Sequence, residues 1–429
     1  VIFLVLYSIK PGDSVYSIAR QFGVSPQQII DDNQLKNVQR LMIGQSLIIP
    51  AESARHVVTL GQTLYSIAKS YGTTIQRILV ANPAITDPSK LRLGQVLIIP
   101  LPSQKLGSID VNGYALPGIG SDVLEATLPH LTYISIFSYQ VKPDGSLIAI
   151  PDEPIITAAK QKKVAPLMVI TNIKEAGGFN SDIANTILND KKVQDVLLEN
   201  VIKVLEEKGY YGLDIDFEYI YANDREAYNQ FLLKVTNRLH ELGYTVSTAV
   251  APKLSETQQG LLYEAHDYAA HGKIVDHVIL MTYEWGYTYG PAMAVAPIDQ
   301  VERVLKYAVT VIPSKKILMG MPNYGYDWTL PFVQGSAARS LSNLEAVELA
   351  SRVGAQIQYD TRVQAPFFTY YDSNGKQHVV WFDDVRSTAA RLSLADKYNL
   401  GGVSYWNINT LYPQNWQVLE SMYNVNKVL

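Results

Sequence analysis

From residue 109 onward the chain alternates short β-rich runs with helical patterns, and it does so eight times. The runs are 109–116 (IDVNGYAL), 131–139 (LTYISIFSY), 165–173 (APLMVITNI), 210–219 (YYGLDIDFEY), 245–252 (TVSTAVAP), 277–285 (HVILMTYEW), 317–328 (ILMGMPNYGYDW) and 401–408 (GGVSYWNI). Most gaps carry an amphipathic helix, such as 192–208 and 225–242. Strands separated by helices pair in parallel, and eight such units over about 320 residues predict a closed (β/α)8 barrel of the α/β class. An open doubly wound sheet is the alternative. No G-x-G-x-x-G follows an early strand, which counts against its dinucleotide-binding form. The seventh interval is long. A helical pattern at 341–353 and two alternating runs around Asn374-Gly375, a hairpin signal, predict a small insertion beside the barrel mouth, placed to touch substrate.

The first hundred residues repeat. KPGDSVYSIARQFGVSPQQIIDDNQL (10–35) matches TLGQTLYSIAKSYGTTIQRILVANPAI (59–85), and IGQSLIIP (43–50) matches LGQVLIIP (93–100). Each copy reads strand, helix, helix, strand. Ser14 and Thr63 stand at helix N-cap positions, followed by apolar residues at helical spacing. The expected units are modules at 1–50 and 55–100 and a barrel domain at 108–429. PAESAR (50–55) and PLPSQKLGS (100–108) are the expected connections, the second stiffened by its prolines.

The opening VIFLVLYSIKPGDS reads as a first strand and not as a signal peptide: it has no basic n-region, a short apolar run and no small-residue cleavage site. No later run is apolar and long enough to span a bilayer, so no membrane partner is expected. Charged residues make up 18% of the chain and the net charge is −4, which argues against a nucleic-acid partner. There is no cysteine, and the seven histidines show no metal-ligand spacing, so neither a metal nor another cofactor is expected.

In GLDIDFEY (212–219), Asp214, Asp216 and Glu218 alternate with Leu213, Ile215 and Phe217, so the acids share one strand face. On an antiparallel sheet this would be a wet face. In a parallel barrel the apolar set packs under helices and the acids turn inward. Crowded, buried carboxylates have their pKa values pushed apart, and some keep their protons, as an acid catalyst requires. Glu218 ends the row nearest the mouth, where barrel enzymes act.

Two resemblances follow from these residues. Both N-terminal copies resemble the LysM family over their whole length. Such modules bind glycans containing N-acetylglucosamine, in a groove beside the loop after the first strand (here Gly12, Asp13 and Ser14; Gly61 and Thr63) and near the end of the second helix (Asn33; Asn82). Taken singly, each of these residues also fits a turn or a cap. The barrel resembles glycoside hydrolase family 18, the chitinase-like enzymes, whose signature D-x-x-D-x-D-x-E closes strand four. Here it reads YGLDIDFE, with Tyr211 in place of the first acid. MTYEW resembles the family's M-T-Y-D and supplies Met281, Tyr283 and Glu284; SYWN supplies Trp406; VITNI stands where the family has S-x-G-G.

The resemblance implies a retaining, substrate-assisted reaction. Glu218 is the general acid, and the sugar's own 2-acetamido oxygen attacks C1 to give an oxazolinium ion. Asp216 holds the acetamido N–H, Asp214 sets the protonation of Asp216, and Tyr283 aims the acetamido oxygen. Trp406 floors the pocket. Met281, Glu284, Asn323, Tyr324 and Asn112 (with Tyr114) are further candidates for its lining. Two LysM modules on such a barrel resemble the spore cortical fragment-lytic enzymes. That implies a monomeric, spore-associated N-acetylglucosaminidase acting on cortex peptidoglycan fragments during germination. A chitinase and a non-catalytic glycan-binding coat protein are the alternatives.

Overall fold

The computed structural model describes residues 4–39, 41–101 and 105–429. The start of the expected first strand (1–3) and the middle of the expected proline-containing connection (102–104) lie outside the described residues. All eight expected runs form strands: Gly107–Ala115, Tyr133–Val141, Ala165–Thr171, Gly212–Asp216, Thr245–Val250, His277–Leu280, Ile317–Pro322 and Gly402–Trp406. Each pairs in parallel with the next, and the eighth pairs with the first, Val403 opposite Val111, so the barrel closes.

The fourth strand is oriented as its alternation requires. Leu213, Ile215 and Phe217 are buried in the barrel's outer core, beneath the helices Lys191–Lys208 and Arg225–Glu241. Phe217 stacks on Tyr228 and Phe231 with ring centroids 6.1 and 6.0 Å apart. The helix Lys191–Lys208 starts where Asp190 caps the amides of Lys192 and Val193, and stops at Gly209 in the left-handed conformation.

The run at 317–328 splits in two. The barrel strand ends at Pro322, which has no N–H to extend the ladder. Gly325–Thr329 then leaves the barrel and becomes the second strand of the insertion's five-stranded antiparallel sheet. The hairpin about Asn374-Gly375 joins Ala365–Tyr371 to Gln377–Trp381, and the helix Asn343–Val353 packs on this sheet.

Both N-terminal repeats fold as strand, helix, helix, strand. The first comprises Leu4–Ser8, Val15–Phe22, Pro26–Asp32 and Ser46–Pro50; the second comprises Ser53–Val57, Leu64–Ser70, Ile75–Ala81 and Val96–Pro100. Ser14 with Ser17, and Thr63 with Ser66, form reciprocal capping boxes. The expected PAESAR connection shrinks, because Ser53 already begins a strand. Its alternation of buried Ala54 with exposed Arg55 is too short to stand out in the sequence.

The first repeat is seated on the barrel and its insertion. Ile48 joins the barrel core, and Met42 packs with Leu341, Leu349 and Ile357 of the insertion. The Ile357 amide donates to Ile43 O (3.1 Å), and Arg386 donates to Ser8 Oγ (3.0 Å) and Gly44 O (3.2 Å). Lys36 pairs with Glu348 on the helix Asn343–Val353.

Candidate active site

At the C-terminal mouth of the barrel lies a cleft of roughly 1010 Å³, whose lining includes Asp216, Glu218, Met281, Tyr283, Glu284 and Trp406. It also includes Tyr324 and, from the insertion, Ser342 and Glu345. The acid row points inward as expected.

Asp214 is the deepest of the three and fully buried. Tyr114 donates to its Oδ2 (2.5 Å) and Ser247 to its Oδ1 (2.7 Å), so both oxygens accept. Burial raises its pKa, and these two hydrogen bonds oppose the rise. Asp216 is also buried, and its Oδ1 has no hydrogen-bond partner among the described residues. Burial, then the charges of Glu218 and Asp214, push its pKa well above the usual carboxylate range. Burial pushes the partly buried rim acid Glu218 up to about 7. All three carboxyls are thus pushed upward by burial; at Asp214 two hydrogen bonds oppose the push, while at Asp216 the neighbouring acids add to it.

Around the acids stand further polar and aromatic groups of the cleft lining. Burial and the neighbouring acids raise the Tyr283 hydroxyl well above its usual range, so it stays a donor. Trp406 lies edge-on to Phe137 (4.9 Å between centroids) and to Tyr114 (5.4 Å), giving an aromatic floor. Among the described residues Glu284 pairs with no cation. It accepts hydrogen bonds from the hydroxyls of Tyr324 and Tyr326 (2.9 Å for the latter) and ties strand six to the insertion.

Several expected site residues have other work. Asn112 does not reach the cleft. It is fully buried beneath it, donating to Ser404 Oγ (3.0 Å) and accepting from Ser135 Oγ (3.1 Å), because an amide inside a barrel must find partners on adjacent strands. Asn323 is at the rim, but its amide donates to Asn407 O (3.0 Å) and Thr410 O (3.2 Å) and holds the loop after strand eight. Tyr211 lies at the opposite end of the barrel, against Tyr133.

In the repeats, Asn33 exchanges two hydrogen bonds with the Ile48 backbone (both 2.7 Å), and Asn82 does the same with Ile98 (2.8 and 2.6 Å). These amides tie the second helix to the last strand. Asp13 accepts from Tyr7 Oη and Lys10 N (both 2.8 Å), while Ser14 and Thr63 are caps. Gly12 and Gly61 sit at positive φ in the turns.

Phe137 and Ser247 were not among the expected residues. Phe137 had a signal, as an aromatic at a strand's C-terminal end; Ser247 had none beyond its place on strand five. Among the described residues there is no cluster of three or more His, Asp and Glu set to hold a metal, and no helix long and apolar enough to cross a membrane.

A closed parallel barrel with a row of buried carboxyls beside an aromatic-floored cleft fits a glycoside hydrolase. Comparison with known proteins gives the family. The glycosyl hydrolases family 18 profile matches residues 121–410, and the LysM domain profile matches 7–50 and 56–100. The chain is 41% identical over 430 aligned residues to a cortical fragment-lytic enzyme of Bacillus subtilis, covering 98% of this chain and 99% of that one. Its fold matches crystal structures of the spore cortex-lytic enzyme SleL from Bacillus cereus (TM-score 0.88, 39% identity, 99% of each chain) and Bacillus megaterium (TM-score 0.89, 39% identity, 100% of each chain). The chain belongs to glycosyl hydrolases family 18 and carries two LysM domains.

Proposed function

We propose that this hydrolase is an N-acetylglucosaminidase that cleaves fragments of spore cortex peptidoglycan during germination, working as a spore-associated monomer. Its domains bind glycans containing N-acetylglucosamine, and whole-chain likeness to the cortical fragment-lytic enzymes supports the cortex as their source.

The observation that carries the chemistry is the unpartnered Asp216 Oδ1, buried beside a Glu218 whose pKa is raised to about 7. Glu218 gives its proton to the glycosidic oxygen as the C1–O bond breaks. The 2-acetamido oxygen attacks C1, and the substrate supplies its own nucleophile in place of a second carboxylate. Asp216 passes its proton toward Asp214 and accepts the acetamido N–H, balancing the positive charge of the oxazolinium. Tyr283 donates to the acetamido oxygen and holds it on line. Water, deprotonated by Glu218, then opens the ring and returns the proton. Trp406 carries the apolar face of the sugar, with Met281 and Tyr324 beside it.

Mass spectrometry of products from cortex fragments, run beside chitin oligomers, tests this reading. New reducing-end N-acetylglucosamine from cortex fragments, with chitin cut more slowly, is expected. Faster cleavage of chitin would make the protein a chitinase, and no cleavage of either would make it a binding protein.

A further inference from the structure

The fourth strand's ladder stops at Asp216, opposite Thr171, so the peptide groups of Phe217, Glu218 and Tyr219 have no strand partner. Buried peptide groups need one. Here three successive carbonyls each take a side-chain donor: Phe217 O accepts from His266 Nε2 (2.9 Å), Glu218 O from Asn172 Nδ2 (2.8 Å) and Tyr219 O from Ser181 Oγ. The Glu218 amide in turn donates to Asn172 Oδ1 (3.0 Å). One side-chain amide thus closes both hydrogen bonds that a neighbouring strand would make, and its second hydrogen goes to Asn180 O (3.0 Å).

A second sign lies in the backbone itself. Tyr219 has φ +54°, a left-handed conformation that is unfavourable by about 1–2 kcal/mol for a side chain of this kind and persists where surroundings hold it. The chain turns sharply straight after Glu218.

We infer that Asn172 and His266, with Ser181 at the rim, are positioning residues that clamp the backbone of Glu218 and so fix where its proton is delivered. The inference rests on the reading of Glu218 as the acid. Asn172 is fully buried, and it falls in VITNI, where the family's S-x-G-G is missing. His266 is nearly as buried. Its Nδ1 accepts from Ala251 N (2.9 Å), which leaves the hydrogen on Nε2 for Phe217 O. Lys253 anchors it from behind by donating to His266 O (3.0 Å). Burial keeps the imidazole neutral, with its pKa lowered to about 4, so Nε2 stays a donor to Phe217 O near neutral pH.

The test compares Asn172→Ala, His266→Ala, His266→Gln and Ser181→Ala with wild type and Glu218→Gln on soluble cortex fragments. Asn172→Ala should lower kcat by about 10- to 100-fold with KM nearly unchanged, the scale of a misplaced catalytic group. The basic limb of its kcat profile should move to lower pH. Glu218 faces Asp216 and the hydroxyls of Tyr219 and Tyr283, and a freed carboxyl swings from these toward water. His266→Gln, which keeps a donor, should retain most activity that His266→Ala loses. Ser181→Ala touches an exposed hydroxyl, should fold normally and should lose kcat a few-fold; it decides the matter if Asn172→Ala does not fold. Wild-type kcat and an unmoved basic limb in Asn172→Ala and Ser181→Ala, with Glu218→Gln inactive, would overturn the clamp alone. Cleavage by Glu218→Gln would instead overturn the reading of Glu218.

Discussion

The two LysM repeats share a sequence pattern, an element order and a capping scheme, yet the surface that the first buries against the barrel is left open by the second. Gly44 of the first repeat lies so close to the insertion that a Cβ there would fall 1.7 Å from Ile357 O; at its counterpart Gly94 nothing lies within 4 Å. Ser8 receives Arg386, while its counterpart Val57 is exposed. Ile43 accepts from the Ile357 amide, while its counterpart Leu93 is 73% exposed. The same small module is seated once against the barrel and its insertion and once turned outward.

The seat of the first repeat also reaches toward the cleft. The helix Asn343–Val353 meets Lys36 through Glu348 and Met42 through Leu349, and its first turn, with the capping residue Ser342 and with Glu345, lines the cleft. The first repeat therefore backs one wall of the active site.

Truncation gives the largest expected effect. Removing residues 1–50 strips Met42 and Ile48 from the cores they complete, and each buried side chain of that size is worth about 1.5–3 kcal/mol. Calorimetry of the truncated chain should show the barrel transition lowered and, on soluble fragments, cleavage weakened. A barrel that melts and cleaves as in the full chain would show that the first repeat merely leans on it.

The matched glycines sharpen the contrast. Gly44→Ala and Gly94→Ala both force an alanine to φ above +80° or close to it, a strain of about 1–2 kcal/mol. Only Gly44→Ala adds a backbone clash, a further ~1–3 kcal/mol. Thermal unfolding should show the larger loss for Gly44→Ala, reaching the barrel transition, and a smaller loss confined to the LysM transition for Gly94→Ala. Equal losses would erase the distinction between the repeats.

The eight strands, the insertion and the inward acid row were legible because period-2 alternation and strand–helix order are local in the sequence. Trp406, Tyr283 and Met281 were legible through motifs at strand ends. The partners of buried amides were not. Asn112, Asn33 and Asn82 read as binding groups because an asparagine's composition is the same whether it faces a sugar or a neighbouring backbone; only the fold brings Ser404 to Asn112 or Ile48 to Asn33. The docking of the first repeat was hidden for the same reason, since Gly44 and Gly94 sit in near-identical strings, IGQS and LGQV. Their difference belongs to Ile357, more than three hundred positions away from the first of them.

The central claim is that one protonated carboxyl, Glu218, works with the substrate's own acetamido group over Asp216. Proton NMR of the reducing-end anomer formed in the first minutes of cleavage tests it most directly. Attack by the acetamido oxygen followed by water inverts C1 twice, so the β-anomer should form first. First formation of the α-anomer would mean a single direct attack by water, and the account of the acid row would be wrong.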